Sequence, residues 1–293
     1  RSLDAVRRLI QVSEPLPSLV DYLARNDRAV EALADVEACA RVAYEAVEDA
    51  AAEGLAYVEL RFSPSFMARP HRLDAAEVVD AVVDGVRRAE RDTGLTTGLI
   101  GILSRTFGPE GADRELAALL ACRDEIVALD LAGDEARWPG ELFEAHFRRG
   151  RAAGWHITVH AGEAGGPGAV RHAVEDLGAE RIGHGVRAVE DPALLDLLAD
   201  RRIGLEISLT SNVQTSTVSG YAAHPLRMLM EHDIPVAIST DNPTTSATSL
   251  AHELFQAAPA AGLDPPRIRQ AQMDAAELAF LDARARSRVD LSS

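Results

Sequence analysis

Seven short aliphatic or β-branched runs, each leading into a longer Ala/Leu/Glu/Arg-rich stretch with helical spacing, constrain the fold of this chain more than any other feature. The runs are Leu55–Phe62, Gly98–Leu103, Ile126–Leu131, His156–His160, Arg181–Gly183, Gly204–Ile207 and Pro235–Ser239. Strand followed by helix, repeated, predicts a parallel sheet with helical crossovers. The runs are short and mainly apolar rather than cleanly alternating, as expected where both faces of a sheet are covered. Between them, Ala75–Arg91 has Asp74 placed as its N-cap, and Gly140–Ala153 has Pro139 at its start and Gly154 just past its end.

Neither repeats nor Gly/Ser linkers interrupt this pattern, so one domain spanning 1–293 is expected. An open doubly wound sheet and a closed (β/α)8 barrel both accommodate it. No G-x-G-x-x-G phosphate fingerprint follows any strand. Polar residues crowd the carboxyl ends of many strands, among them Arg61, Ser63, Ser104, Arg105, Asp130, His160, Glu163, His184, Ser208 and Asp241. In a barrel that face carries the active site. Seven strand-helix units are one short of eight, which leaves two expectations: an open sheet, or a barrel whose first strand is absent from this chain.

Composition narrows the chemistry. The chain contains no lysine, which excludes Schiff-base, pyridoxal-phosphate and P-loop lysines. Its two cysteines, Cys39 and Cys122, stand singly in Ala-rich stretches and form neither a disulfide framework nor a thiolate zinc cluster. A net charge of −16 disfavours phosphate backbones and anionic lipid as partners. No spanning segment or secretory leader is evident, and a cytoplasmic protein acting on a small molecule is expected, its oligomeric state open.

Three strand ends carry groups suited to chemistry. In WHITVHAGEAGGPG (Trp155–Gly168), His160 ends a strand and Glu163 follows three residues later, offering a metal ligand and a proton donor to one cavity. RIGHG (Arg181–Gly185) sets His184 between two glycines. STDNP (Ser239–Pro243) supplies Asp241, a hard ligand or base, and Asn242, an amide donor and acceptor. Taken singly, each also reads as an ordinary strand-end or turn residue. Together they are the inventory of metal-assisted hydrolysis. His160 and Asp241 make two protein ligands where a catalytic zinc takes at least three. Six other histidines (His71, His146, His172, His224, His232 and His252) are expected at the surface or as caps.

At these residues the sequence resembles the adenosine deaminase family, zinc aminohydrolases of the amidohydrolase superfamily built on a (β/α)8 barrel. The resemblance runs from about Ser2 to Leu281 on YVELRFSP (Tyr57–Pro64), ALDLAGDE (Ala128–Glu135), HITVHAGE (His156–Glu163), ERIGHG (Glu180–Gly185), SLTSN (Ser208–Asn212) and HPL (His224–Leu226) ahead of STDNP. Family members open their first strand with an H-x-H pair of zinc ligands. The resemblance therefore implies that this chain starts after that strand, with about 30 to 40 residues before Arg1. The cysteine-ligated base deaminases are excluded by the two isolated cysteines.

The resemblance implies one Zn2+ per subunit, held by His160, Asp241 and the H-x-H pair, which activates water for attack at C6 of adenosine or 2′-deoxyadenosine. Glu163 would give a proton to purine N1, His184 would orient or deprotonate the water, and Asp241 would accept a hydrogen bond from it. The backbone N–H of Gly133 would contact N3. Inosine and ammonia would result. Many family members carry two adjacent aspartates where this chain has Asp241 and Asn242, and the second contacts N7. The Asn242 amide can donate there without a pKa shift. Two further readings stay open: a deaminase of adenine or another 6-aminopurine, and a metal-free, inactive barrel that binds a nucleoside or a partner.

Overall fold

The computed structural model describes residues 2–281, 283–286 and 288–289 of the 293-residue chain. Its strands are β1 (Tyr57–Phe62), β2 (Thr96–Ser104), β3 (Ala128–Ala132), β4 (His156–Ala161), β5 (Arg181–His184), β6 (Gly204–Ile207) and β7 (Val236–Ile238). They neighbour one another in sequence order, β1 through β7. The ladders are parallel, with Tyr57 opposite Thr96, Ile100 opposite Ala128, Arg181 opposite Gly204 and Leu205 opposite Val236. A doubly wound sheet reverses its order at a switch point, whereas an order that never reverses is that of a (β/α) barrel. The fold is of the barrel class.

All seven strands stand where the apolar runs are, with shifted ends. The second lengthens to Thr96–Ser104, because Thr96 and Thr97 pair with Tyr57 and Val58. The seventh shortens to Val236–Ile238, where Pro235 lacks the N–H a ladder position needs. The Gly140–Ala153 pattern resolves into a 3₁₀ turn at Gly140–Phe143 and an α-helix at Glu144–Ala152.

The chain divides into two compact units, each assembled from separated segments. The first contains the chain up to Ala29, Gly133–Gly140 and Val159–Leu278; the second contains Val30–Ala132, Glu141–Thr158 and the chain from Ala279. In the second unit, α3 (Val36–Ala52) lies against the Ala75–Thr93 helix, and a Cβ at Gly85 would run into the Ala40 carbonyl, so only glycine permits the approach. Asp74 caps the latter helix by accepting from Ala76 N at 2.8 Å and Glu77 N at 3.2 Å. Val78, Val79, Val82 and Val86 form its buried stripe, each side chain contributing about 1.5–3 kcal/mol on burial. Of the polar strand-end residues, Ser63 donates its hydroxyl to buried Glu115, Ser104 donates its backbone N–H to the same carboxylate at 2.7 Å, and Arg61 pairs with Asp130 at 3.1 Å. Burial pushes the Glu115 carboxyl up to about 7 against these bonds.

The first unit carries β5, β6, β7, the end of β4, α1 (Leu3–Ile10) and α2 (Leu19–Ala29). Its amino-terminal segment is tied down by backbone bonds from Val12 N to Thr245 O and from Leu16 N to Gln214 O, both 2.8 Å. The buried Gln214 amide donates to Val12 O and Ser246 O, each at 3.0 Å. No helix among the described residues is long and apolar enough to cross a membrane.

Candidate active site

Three strand ends of the first unit converge on one point. His160, next to last in β4, is half-buried, and its ring meets that of His184 edge-on with centroids 5.2 Å apart. The approach depends on Gly183, where a Cβ would sit 3.1 Å from the His160 ring, tighter than a side chain allows without displacement. His184 closes β5 at φ +65° and Asp241 follows β7 at φ +55°. Left-handed backbone is uncommon for residues other than glycine and gathers at functional sites, where surrounding structure holds it.

One donor atom each from His160, His184 and Asp241 lies within 4.8 Å of the others. The His160 imidazole and the Asp241 carboxylate are zinc-type donors, so the residues present fit such an ion, with His184 Nε2 facing the same point. Asp241 is steadied by the Ser211 hydroxyl, which donates to it at 2.7 Å. Counting ligands along the sequence finds only His160 and Asp241; the structure adds His184 to the same cluster.

Glu163 stands beside them, buried, with Oε2 at 3.5 Å from His184 Nε2 and Oε1 accepting the Thr215 hydroxyl at 3.0 Å. Burial pushes its carboxyl up, the neighbouring His184 opposes that, and Asp241 adds to the rise. The outcome is a carboxyl above its ordinary range, held against a histidine. Behind His184, the Asn212 amide donates to Nδ1 at 3.0 Å, and Asn212 Oδ1 meets His224 Nε2 at 3.2 Å. His224 is thus a correction: expected at the surface or as a cap, it is buried, and burial together with the nearby His184 lowers its pKa to about 4.

Asn242 follows Asp241 in chain order, but its amide is engaged. Its Nδ2 donates to Asn26 Oδ1 at 3.1 Å and its Oδ1 accepts from Thr245 N at 3.2 Å. Asn26 comes from α2, whose buried Tyr22 exchanges a hydrogen bond with Ser246 at 2.8 Å; burial, with Asp241 adding, raises the Tyr22 phenol. Gly133, at φ +113°, shares its loop with Glu135, whose carboxylate takes backbone N–H groups from Gly162 through Gly165. Sequence reasoning passes over Glu135, Asn212, Thr215, His224 and Asn26. The first, second and fourth lie inside motifs that mark the family resemblance, whereas nothing in the sequence marks Asn26 or Thr215.

The family model described as adenosine deaminase matches residues 1–291. An adenosine deaminase of Klebsiella pneumoniae is 57% identical over 280 residues, covering 96% of this chain and 84% of that protein. One of Shigella flexneri is 55% identical, covering 97% and 85%. Among solved structures, an adenine deaminase of Arthrobacter aurescens matches with TM-score 0.85 at 25% identity over 99% of this chain and 88% of that one. A zinc-bound amidohydrolase of Burkholderia ambifaria matches with TM-score 0.84 at 27% identity over 91% and 75%. With a family model spanning nearly the whole sequence and relatives above half identity, this chain belongs to the adenosine deaminase family.

Proposed function

We propose that this chain is a zinc-dependent hydrolase that converts adenosine or 2′-deoxyadenosine and water to inosine or 2′-deoxyinosine and ammonia. The observation that carries the reading is a buried carboxyl, Glu163, set 3.5 Å from a histidine inside a His/His/Asp donor cluster. His160 and Asp241 would hold the ion. Zinc there supplies the Lewis acidity that makes water a nucleophile near neutral pH.

Glu163, whose carboxyl burial pushes upward, gives its proton to purine N1, so that negative charge leaves the ring as water adds to C6. His184 faces the same point and orients the attacking water, while Asp241 accepts a hydrogen bond from it. The Gly133 N–H serves N3, and Asn242 turns an N–H toward N7. Loss of ammonia from C6 completes the exchange of an amino group for oxygen.

Adenosine is favoured over adenine because the relatives at 55–57% identity are adenosine deaminases, whereas the adenine deaminase matches at 25%. The experiment is the ultraviolet change of adenosine turning to inosine, with adenine and other 6-aminopurines in parallel, after chelation and after zinc is restored. Zinc-dependent turnover of adenosine supports the reading. Turnover of adenine alone moves the substrate, and no turnover of any 6-aminopurine with zinc present removes the deaminase assignment.

A further inference from the structure

The loop that carries Glu163 is not held by its own turn chemistry. Four consecutive backbone N–H groups point at one side chain: Gly162 N donates to Glu135 Oε1 at 2.8 Å, and Glu163 N, Ala164 N and Gly165 N donate to Glu135 Oε2 at 3.2, 2.8 and 2.7 Å. Successive N–H groups curled in this way form a concave anion cradle. Here the anion is a residue of the chain itself, and Glu135 is 7% exposed. A carboxylate withdrawn from water needs such donors, and bonds to an ionised acceptor are about twice as strong as neutral ones.

The fit is close on the loop side as well. A Cβ at Gly165 would lie 2.5 Å from Glu135 Oε1, so any larger residue there displaces the carboxylate from the loop. Gly162 takes φ +74° to begin the curl. Arg187 binds the same turn from the carbonyl side, its backbone N–H donating to Gly162 O at 3.0 Å and its Nη1 to Ala164 O at 3.3 Å. The Glu163 carboxyl is fixed at its tip by Thr215 and faces His184; its backbone is fixed by Glu135.

We propose that Glu135 is a positioning residue that sets Glu163 by binding the N–H groups of residues 162–165, without itself touching the substrate. The inference rests on the reading of Glu163 as proton donor. A shift of about 1 Å in a reacting group is enough to lower turnover about a hundredfold, so a carboxylate that fixes the donor's backbone acts on kcat.

The test compares the unaltered chain with Glu135→Gln and Gly165→Ala, by steady-state deamination of adenosine and by amide hydrogen exchange. Gln offers one acceptor oxygen and turns an NH2 group toward donors; the methyl of Gly165→Ala pushes the carboxylate away while keeping it. For each variant the expected result is a kcat lower by about 10- to 100-fold with KM within about threefold, the pattern of a lost transition-state interaction. Exchange at Gly162, Glu163, Ala164 and Gly165 should speed up while β4 to β7 keep their protection. A kcat unchanged in either folded variant overturns the proposal, and so does a general loss of protection with kcat and KM changing together. If Glu135→Gln does not fold, Gly165→Ala decides. If the unaltered chain leaves adenosine untouched, the functional reading fails, and exchange at the four amides still decides whether Glu135 holds the loop.

Discussion

The Asn212 amide nitrogen lies 3.0 Å from Nδ1 of His184, and that bond fixes where the His184 proton sits. Leu226 N–H can only donate, and it donates to His224 Nδ1 at 3.0 Å. Neutral His224 therefore carries its proton on Nε2 and gives it to Asn212 Oδ1, which leaves the amide NH2 to face His184. His184 Nδ1 is then an acceptor, and the neutral ring presents Nε2–H toward Glu163 Oε2. In that state the ring has one N–H, at Nε2, with which to orient either the carboxyl or a water.

Asn212→Ala removes the link and leaves two ring nitrogens unpaired in a buried site. We expect kcat to fall by about 10- to 100-fold, with a stability loss of about 1–3 kcal/mol. Nitrogen NMR of the His184 ring should show one tautomer, protonated at Nε2, in the unaltered chain and a mixture in the variant. A single Nδ1-protonated form in the unaltered chain would reverse the assignment and make Nε2 a metal donor.

His224 gives a pH dependence of known sign. Its folded pKa is about 4 against an ordinary 6.5, so between those values the unfolded chain binds a proton that the folded ring refuses. Stability from this group is complete above about pH 6.5 and is lost as pH falls toward 4, by about 3 kcal/mol in all. His224→Gln keeps a donor toward Asn212 and lacks the titration. Urea midpoints at pH 4.5 and 7 should differ more for the unaltered chain than for the variant; equal differences would mean that His224 stays charged.

A parallel sheet with helical crossovers was legible from seven apolar runs, each leading into a helical pattern; that pattern suits an open sheet and a barrel alike, and the family resemblance chose between them. His160, Glu163, His184 and Asp241 were legible because the chemistry sits at strand ends, where local sequence decides direction. What lay beyond reach was pairing across long separations. Asn212 meets His184 over 28 positions, and Asn26 reaches Asn242 over 216, with no local signal for either contact. The same limit hid His224: a histidine ahead of a proline in a loop looks like a surface residue until the fold buries it.

Asn242 is oriented by a residue far away in sequence. Asn26 Oδ1 accepts both from Asn242 Nδ2 and, at 2.7 Å, from the Thr245 hydroxyl, while Asn242 Oδ1 accepts from Thr245 N. The amide cannot rotate without losing two bonds, so the group it turns outward is N–H, which suits an acceptor such as purine N7. Asn242→Leu should lower kcat/KM by about 10- to 100-fold, and Asn26→Ala by a smaller factor in the same direction. Adenosine should be favoured over its 7-deaza analogue by the unaltered chain and not by Asn242→Leu. A variant that keeps the preference would take Asn242 out of purine recognition.

Glu163 carries the most exacting expectation, because burial raises its pKa and the proposed role needs that proton. Glu163→Gln preserves shape and the Thr215 contact but cannot release a proton, so kcat should fall by about 10²- to 10⁴-fold. Stability should move the other way. A buried carboxyl with a raised folded pKa is most favourable below its unfolded value and loses stability as pH rises through the folded one, since the unfolded chain then releases the proton more readily. The Gln variant escapes that loss, so its thermal midpoint should match the parent at acid pH and exceed it at pH 8. A Glu163→Gln protein that turns over at the parental rate would end the proton-donor role, and one that melts lower than the parent at pH 8 would show that the carboxyl is ionised in the folded state.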